Sequence, residues 1–338
     1  MISVIIVNYN RKDLLRGCLD AVIMQSRDRT MSCPYKDIEI IVVDNGSLDA
    51  SSGMVNAVYP EVKLLQNTEN LFFCKANNQG IKETKGDFIL CLNSDCVLDK
   101  DYLKEALSSF NLDEKIGMVS GKILRMDKKT IDSTGLFIAR NRKPLERGYG
   151  KPDKGQYERP EYIFGVSGSC LLMKKDMLDD IKDKNGYFDE TFEIYYEDLD
   201  LCWRAQKKGW KAYYNPKAIA YHERGATAIV HPIRLRESPT AAHGVGGHEF
   251  RRISDELKKR YIRNRYKCMR KNDSIAGFLV NLPFILFYEI KLCSYLVLDS
   301  AFGLARTIFF ERATEGSTER SECTKRVEKK KNFLDRNL

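Results

Sequence analysis

The chain has 338 residues, 43% of them hydrophobic and 30% charged, with 56 Lys and Arg against 47 Asp and Glu. That length bounds one large domain or two modest ones, and an apolar content spread over residues 1–230 excludes a disordered chain. No period of about 20–50 residues recurs, which excludes a solenoid or propeller, and a net charge of +9 speaks to partners and solubility rather than to fold. Ten cysteines are present without a C-x-x-C pair, the nearest spacing being Cys91 and Cys96. Zinc sites need tighter pairs, and residues 1–8 carry neither a basic run nor a small-residue cleavage site. Reduced thiols in a cytoplasmic protein are the expectation.

In chain order, apolar runs at residues 2–7, 38–43 and 88–92, with a weaker one at 62–65, read as strands buried on both faces. Helical stretches at 11–24, 50–58 and 75–83 lie between them, so the order argues an α/β, mostly parallel sheet with right-handed crossovers. Residues 102–110 read as a helix, 116–119 as a strand, and 140–159 as a long loop rich in Lys, Arg, Gly and Pro. A strand at 166–173, an amphipathic helix at 197–208 and short strands at 211–214 and 218–221 follow. Residues 232–247 are loop, 251–271 strongly basic, 274–310 apolar with isolated charges, and 311–338 a charged tail without a core.

Each strong strand runs into a polar cluster: Asn8-Tyr9-Asn10, then Asp44-Asn45-Gly46-Ser47, then Asn93-Ser94-Asp95. Such residues also make turns and caps, but three clusters at carboxyl ends of one sheet are better explained by one ligand site. The turn after the first strand holds no glycine, which excludes a dinucleotide fingerprint. Gly117-Met118-Val119-Ser120-Gly121-Lys122 has the wrong spacing for a phosphate loop, and Ile123 follows its lysine. Asp95 holds a carboxylate just past a buried strand, where a hard divalent cation and substrate phosphates find oxygen ligands. Tyr195-Tyr196-Glu197-Asp198-Leu199-Asp200 opens a helix with three acids, whose charge the helix N-terminus favours and one of which can serve as a base. His222 ends a strand beside Glu223-Arg224-Gly225.

At this point residues 1–230 resemble a known family. The pieces are Val4-Ile5-Ile6-Val7-Asn8-Tyr9-Asn10, Val42-Val43-Asp44-Asn45-Gly46-Ser47, Asn77-Asn78-Gln79-Gly80-Ile81, Leu92-Asn93-Ser94-Asp95, Gly186-Tyr187-Phe188-Asp189-Glu190, Tyr196-Glu197-Asp198-Leu199-Asp200-Leu201-Cys202-Trp203-Arg204 and Tyr221-His222-Glu223-Arg224-Gly225-Ala226. Together, in this order, they resemble family 2 glycosyltransferases of the GT-A fold, in particular the rhamnosyltransferase-like branch. The resemblance implies a nucleotide-binding half over about residues 1–98 and an acceptor-binding, catalytic half over about 99–230. It implies donor contacts at Asn8, Asn10, Asp44, Asn78 and Asn93, with Asp44 on the nucleotide base. Asp95 and His222 would hold a divalent metal, Mg or Mn, and Asp198 would be the general base, with Glu197 the competing assignment. The expected reaction is an inverting transfer from a nucleoside-diphosphate sugar, with dTDP-rhamnose a candidate, to a glycan or lipid-linked hydroxyl. A nucleotide-sugar-binding protein of the same fold without that chemistry is the alternative. Two departures stand out: Leu71-Phe72-Phe73 puts a bulky residue where the family often has glycine, and residues 27–36 lengthen the link to the second strand.

Residues 251–271 carry ten Lys and Arg against Asp255 and Glu256, so +8 of the +9 sits there. No nucleic-acid-binding motif accompanies the stretch. Residues 274–288 lack charge, are broken by Pro283 and fall short of the ~20 residues that span a bilayer. Residues 251–310 are therefore expected to lie peripherally on the cytoplasmic membrane surface, with a helical pair packed on protein as the alternative.

Overall fold

The structure, a computed structural model, describes residues 1–27, 38–223 and 254–298. The expected lengthened link, the loop at 232–247 and the charged tail lie outside the described residues. In chain order the elements are β1 (Ile2–Asn8), α1 (Lys12–Arg27), β2 (Ile38–Asp44), α2 (Ser51–Val58), β3 (Lys63–Gln66), α3 (Phe72–Lys82), β4 (Phe88–Asn93), β5 (Cys96–Leu98), α4 (Tyr102–Ser108) and β6 (Ile116–Arg125). There follow β7 (Ile131–Ser133), β8 (Leu136–Ile138), β9 (Pro144–Glu146), β10 (Glu161–Ile163), β11 (Cys170–Lys174), α5 (Lys175–Ile181), α6 (Glu197–Lys207), β12 (Lys211–His222), α7 (Asp255–Asn272) and α8 (Ile275–Leu298).

A ten-stranded sheet runs β10-β12-β6-β11-β4-β1-β2-β3, with β5 added on β12 and β7 on β6. The β1–β2, β2–β3, β1–β4 and β6–β12 pairings are parallel, whereas β11 and β10 run against their neighbours. Strand alternation divides the core. Ile2, Val4 and Ile6 of β1 face α1, α2 and α4 through Leu15, Leu19, Val55 and Leu103. Ile5 faces the opposite layer, with Ile81 of α3, Leu178 of α5 and Leu199 of α6. Gly80 lets α3 close on β1, since a Cβ there would meet Ile5 Cγ2 at 2.5 Å.

Several expectations need correction. The expected loop at 140–159 contains half of the β8–β9 hairpin. The strand expected from residue 166 starts at Cys170, because Gly168 turns aside to donate its N–H to Asp198 at 3.1 Å. The two strands expected at 211–221 are one, β12, whose register on β6 shifts between Asn215 and Ile219, around Pro216, which lacks an N–H. Phe72 takes the glycine-like conformation that its size argues against (φ 60°), with the Arg260 guanidinium 4.4 Å from the centre of its ring.

Contacts divide the chain into Met1–Leu282 and Pro283–Leu338, so α7 belongs with the sheet and is no separate module. Ser254 caps α7 by accepting from Leu257 N (3.3 Å), with acids in the first turn and Arg270 and Lys271 in the last, as the helix dipole favours. The apolar segment also differs from expectation. It continues through Pro283 to Leu298 as one 24-residue helix, long and apolar enough to cross a membrane by length and composition.

Candidate active site

Parallel register sets Asn8 opposite Asp44, and Val7 opposite Asn93, so the three polar clusters meet at one edge of the sheet. Asn8 is buried and donates to Asp44 Oδ1 and to Ser47 Oγ, each at 3.2 Å. Its own Oδ1 is buried and has no hydrogen-bond partner among the described residues. Asn10 bridges to the neighbouring turn: its N–H donates to Ser47 Oγ (2.9 Å) and its Oδ1 accepts from Leu48 N (2.7 Å). Asn93 lies half-buried beside them, its backbone N–H donating to Ser169 O at 2.9 Å.

Two expected donor contacts are placed differently. Asp44 is 3% exposed, and both of its carboxylate oxygens are occupied, one by Asn8 and the Ser47 hydroxyl, the other by the Ser52 hydroxyl. In this way it braces the turn that carries Gly46 (φ 80°). Asn78 is wholly buried. Its Nδ2 donates to Phe188 O (2.8 Å) and Glu190 Oε1 (3.0 Å), and its Oδ1 accepts from Phe188 N (2.9 Å). That is a strut between α3 and the chain leading to α6.

Antiparallel pairing of β5 with β12 sets His222 opposite Cys96, one residue past Asp95. His222 Nε2 stands 3.2 Å from Asp95 Oδ1, and Nδ1 is 2.8 Å from Asp132 Oδ2 on β7. Burial works against a charged imidazole, but its hydrogen bonds to Asp132 and Asp95 outweigh that and raise the pKa to about 9. Asp95 Oδ2 is buried with no hydrogen-bond partner among the described residues. A buried orphan carboxylate oxygen beside an imidazole is a donor set that fits a hard or borderline divalent cation such as Mg or Mn. Cys96 lies within the same cluster, yet its thiol donates to Ser169 O at 3.3 Å and burial raises its pKa, so the carboxylate and imidazole are the better ligands.

The acid-rich start of α6 reaches the same place. The chain enters it through three left-handed non-glycine residues, Glu193 (φ 64°), Tyr195 (70°) and Tyr196 (71°), at a cost of order 1 kcal/mol each. Asp198 is half-buried: Oδ1 accepts from Leu199 N (2.7 Å) and Oδ2 from Gly168 N (3.1 Å). A Cβ at Gly168 would lie 3.4 Å from Asp198, an ordinary contact, so it is the Gly168 N–H that ties the two segments together. The next residue, Ser169, accepts from Asn93 N and from Cys96, on either side of Asp95. One dipeptide thus joins the base candidate to the metal-ligand candidate. Glu197 differs from Asp198: it is buried, and desolvation followed by the Asp198 charge pushes its pKa well up. Asp200 is engaged by Arg204 (2.8 Å), Lys271 (3.2 Å) and Asn272 (2.7 Å).

Residues 3–182 match the family described as Glycosyl transferase family 2. The chain belongs to glycosyl transferase family 2. Among curated relatives, it is 25% identical over 239 residues to poly-beta-1,6-N-acetyl-D-glucosamine synthase of Staphylococcus aureus, covering 65% of this chain and 49% of that one. An uncharacterized Sinorhizobium fredii protein, y4gI, is 23% identical over 286 residues, 82% of this chain and 29% of that one. The chain therefore spans less than half the length of these relatives. In structure it is similar to the mannosyltransferase PcManGT of Pyrobaculum calidifontis, solved with GDP-Man and Mn2+ (TM-score 0.55, 16% identity, 90% of this chain and 75% of that one). It is also similar to GalNAc-T7, solved with UDP, GalNAc and Mn2+ (TM-score 0.53, 16% identity, 71% and 46%). The sheet and its flanking helices are those of the GT-A fold.

Within this family fold, two residues of the site escaped the sequence reading. Asp132 is an acid between apolar neighbours in Ile131-Asp132-Ser133, a buried-charge signal that stands out only if the segment is taken as a strand. Asn264 is a polar residue at an inward position of a basic helix, and nothing in its spacing marks it.

Proposed function

We propose that the chain transfers a glycosyl group from a nucleoside-diphosphate sugar to a hydroxyl of a glycan or lipid-linked acceptor, with inversion at the anomeric carbon. The observation that carries this reading is the Gly168–Ser169 junction, which holds Asp198 on one side and the strand ends bearing Asn93 and Asp95 on the other. Asn8, Asn10 and Asn93 are the donor contacts, with Asp44 shaping the turn beneath them. Asp95 and His222 would hold a divalent cation, which when bound supplies charge neutralisation at the donor diphosphate. Asp132 fixes the His222 tautomer by accepting the Nδ1 proton, leaving Nε2 to the metal side.

In the reaction, Asp198 takes the proton of the acceptor hydroxyl as that oxygen attacks the anomeric carbon. The bond from that carbon to the diphosphate breaks on the opposite face, and the nucleoside diphosphate leaves with the electron pair. Two backbone N–H groups on the Asp198 carboxylate fix its direction. The resemblance to the rhamnosyltransferase-like branch favours dTDP-rhamnose. Incubation with UDP-, GDP- and dTDP-linked sugars, dTDP-rhamnose among them, with Mn2+, with Mg2+ or with EDTA, tests the proposal. At least one donor is expected to release its nucleoside diphosphate, and EDTA to stop the release. Release unaffected by EDTA would remove the metal from the reading, and no release from any donor would remove the reading itself.

We further propose that the chain works at an anionic membrane surface. Helix α8 supports this with Ile275, Leu279, Val280, Phe287 and Ile290, all more than half exposed. The basic stretch supports it less than expected, because α7 spends many of its charges on the protein: Arg260 and Arg263 pair with Glu193, Lys271 with three aspartates, and Arg265 is buried. Its outward cations are Lys259 and Arg270. The full chain is expected to pellet with phosphatidylglycerol-containing vesicles, and a Leu279→Glu/Phe287→Glu variant to stay in the supernatant. Equal pelleting of the two would end this proposal.

A further inference from the structure

Helix α7 lies outside residues 3–182, the region matched to the family, yet one face of it grips the loop that presents Asp198. Asn264 is fully buried, and its Nδ2 donates to three backbone carbonyls of that loop: Phe192 O (2.7 Å), Ile194 O (2.8 Å) and Tyr195 O (3.0 Å). Two N–H bonds shared over three carbonyls hold peptide groups on both sides of the left-handed residues, which would otherwise relax toward ordinary backbone. Around Asn264 the same helix adds further holds. Arg260 pairs with Glu193 at 2.7 Å while packing on Phe72, itself left-handed, and Cys74 N donates to Glu193 O at 3.2 Å. Tyr261 packs edge-on against Tyr195 and Tyr196 (5.8 and 5.0 Å between ring centres). Lys267 donates to Thr191 O at 2.7 Å, and Lys271 joins Asp189 to Asp200 (2.7 and 3.2 Å).

We infer that α7 is the positioning element of the general-base loop, acting chiefly through Asn264, whose amide fixes the strained backbone from which Asp198 is aimed. Asn264 is a positioning residue: it touches neither acceptor nor donor, and acts through the backbone of residues 192–195. The inference rests on Asp198 being the base. Its consequence is that the basic segment is part of the active site's support, and that the catalytic unit is incomplete if cut before α7.

The test uses the full chain with Asn264→Asp, which keeps the side-chain volume but replaces the amide donor with an acceptor facing three carbonyls, and Lys104→Ala on the exposed face of α4 as a control. Three quantities are read: kcat with the donor that the nucleotide-sugar panel turns over, the affinities for UDP, GDP and dTDP with Mn2+, and amide hydrogen exchange across the chain. Asn264→Asp is expected to lose about 10²-fold in kcat, the effect of a misplaced reacting group. Nucleoside-diphosphate affinity should hold, and protection should be lost over residues 193–200 but not in the central strands. Lys104→Ala should match wild type in all three. If Asn264→Asp does not fold, Glu193→Gln carries the test, since it loosens the Arg260 pairing from the loop side and should show the same split between kcat and affinity. Unchanged kcat in the variant while Asp198→Asn is inactive would overturn the inference and leave the base assignment standing. Activity in Asp198→Asn would overturn the base assignment itself. Parallel loss of kcat, nucleotide affinity and strand protection would make Asn264 merely a stability residue, and would also overturn the inference.

Discussion

Asp198→Asn is expected to lower turnover by about 10³-fold, within the 10²–10⁴ that general-base help contributes, while nucleoside-diphosphate affinity stays at the wild-type value. The separation follows from placement. Asp198 lies at the α6 end of the Gly168–Ser169 junction, and the donor contacts lie at the β1 and β4 ends. The amide can still accept from Gly168 or Leu199, so the loop keeps its shape, but it cannot take a proton. Glu197→Gln is the matched comparison. Burial disfavours charge on Glu197, so a neutral glutamine suits the same surroundings and turnover should survive. Stability adds an independent reading. A carboxyl whose folded pKa lies above its unfolded value costs stability as pH rises past that unfolded value of about 4.5. Wild type should therefore lose Tm relative to Glu197→Gln as pH increases from 5 toward 8. A Tm difference that does not change with pH, or loss of turnover in Glu197→Gln with survival in Asp198→Asn, would exchange the two roles.

The second large effect concerns the cation. Asp95→Asn should abolish Mn2+ binding measured by electron paramagnetic resonance in the absence of any sugar donor. Oδ2 of Asp95 is buried beside His222 and has no hydrogen-bond partner among the described residues. Asp132→Asn should weaken Mn2+ by about 10–100-fold, as loss of a partner behind a ligating histidine does. Asp132 is 1% exposed and sits 2.8 Å from Nδ1, so asparagine keeps the shape while it loosens control of the tautomer. Wild-type Mn2+ affinity in both variants would remove Asp95 and His222 as ligands, whatever the enzyme's activity.

How much of this could be read in the residues depends on range. The strands β1, β2 and β4 were legible because a strand buried on both faces must be apolar along its whole length, and their polar ends mark where a parallel sheet opens. The pairing of Asp95 with His222 was legible only through the family resemblance, since 127 positions separate them. Asp132 was not, because three-residue strands such as β7 carry too few side chains for a period to show. The basic stretch was misjudged for a physical reason: charge counted along a sequence does not reveal which face of a helix it occupies. On α7 the inward charges meet Glu193, Asp183, Asp189 and Asp200, and only the outward cations remain for a partner. The hydrogen bonds from Asn8, Ser47 and Ser52 to Asp44 were likewise not legible, because they depend on how the turn folds back on the strand end.

The central claim is a single displacement with Asp198 on the face of the anomeric carbon opposite the bond that breaks. The anomeric configuration of the first product, read by proton NMR before it can mutarotate or be hydrolysed, tests it most directly. The account predicts the configuration opposite to that of the donor. A product that retains the donor's configuration would contradict it, because attack assisted from the Asp198 side could not then be the step that expels the diphosphate.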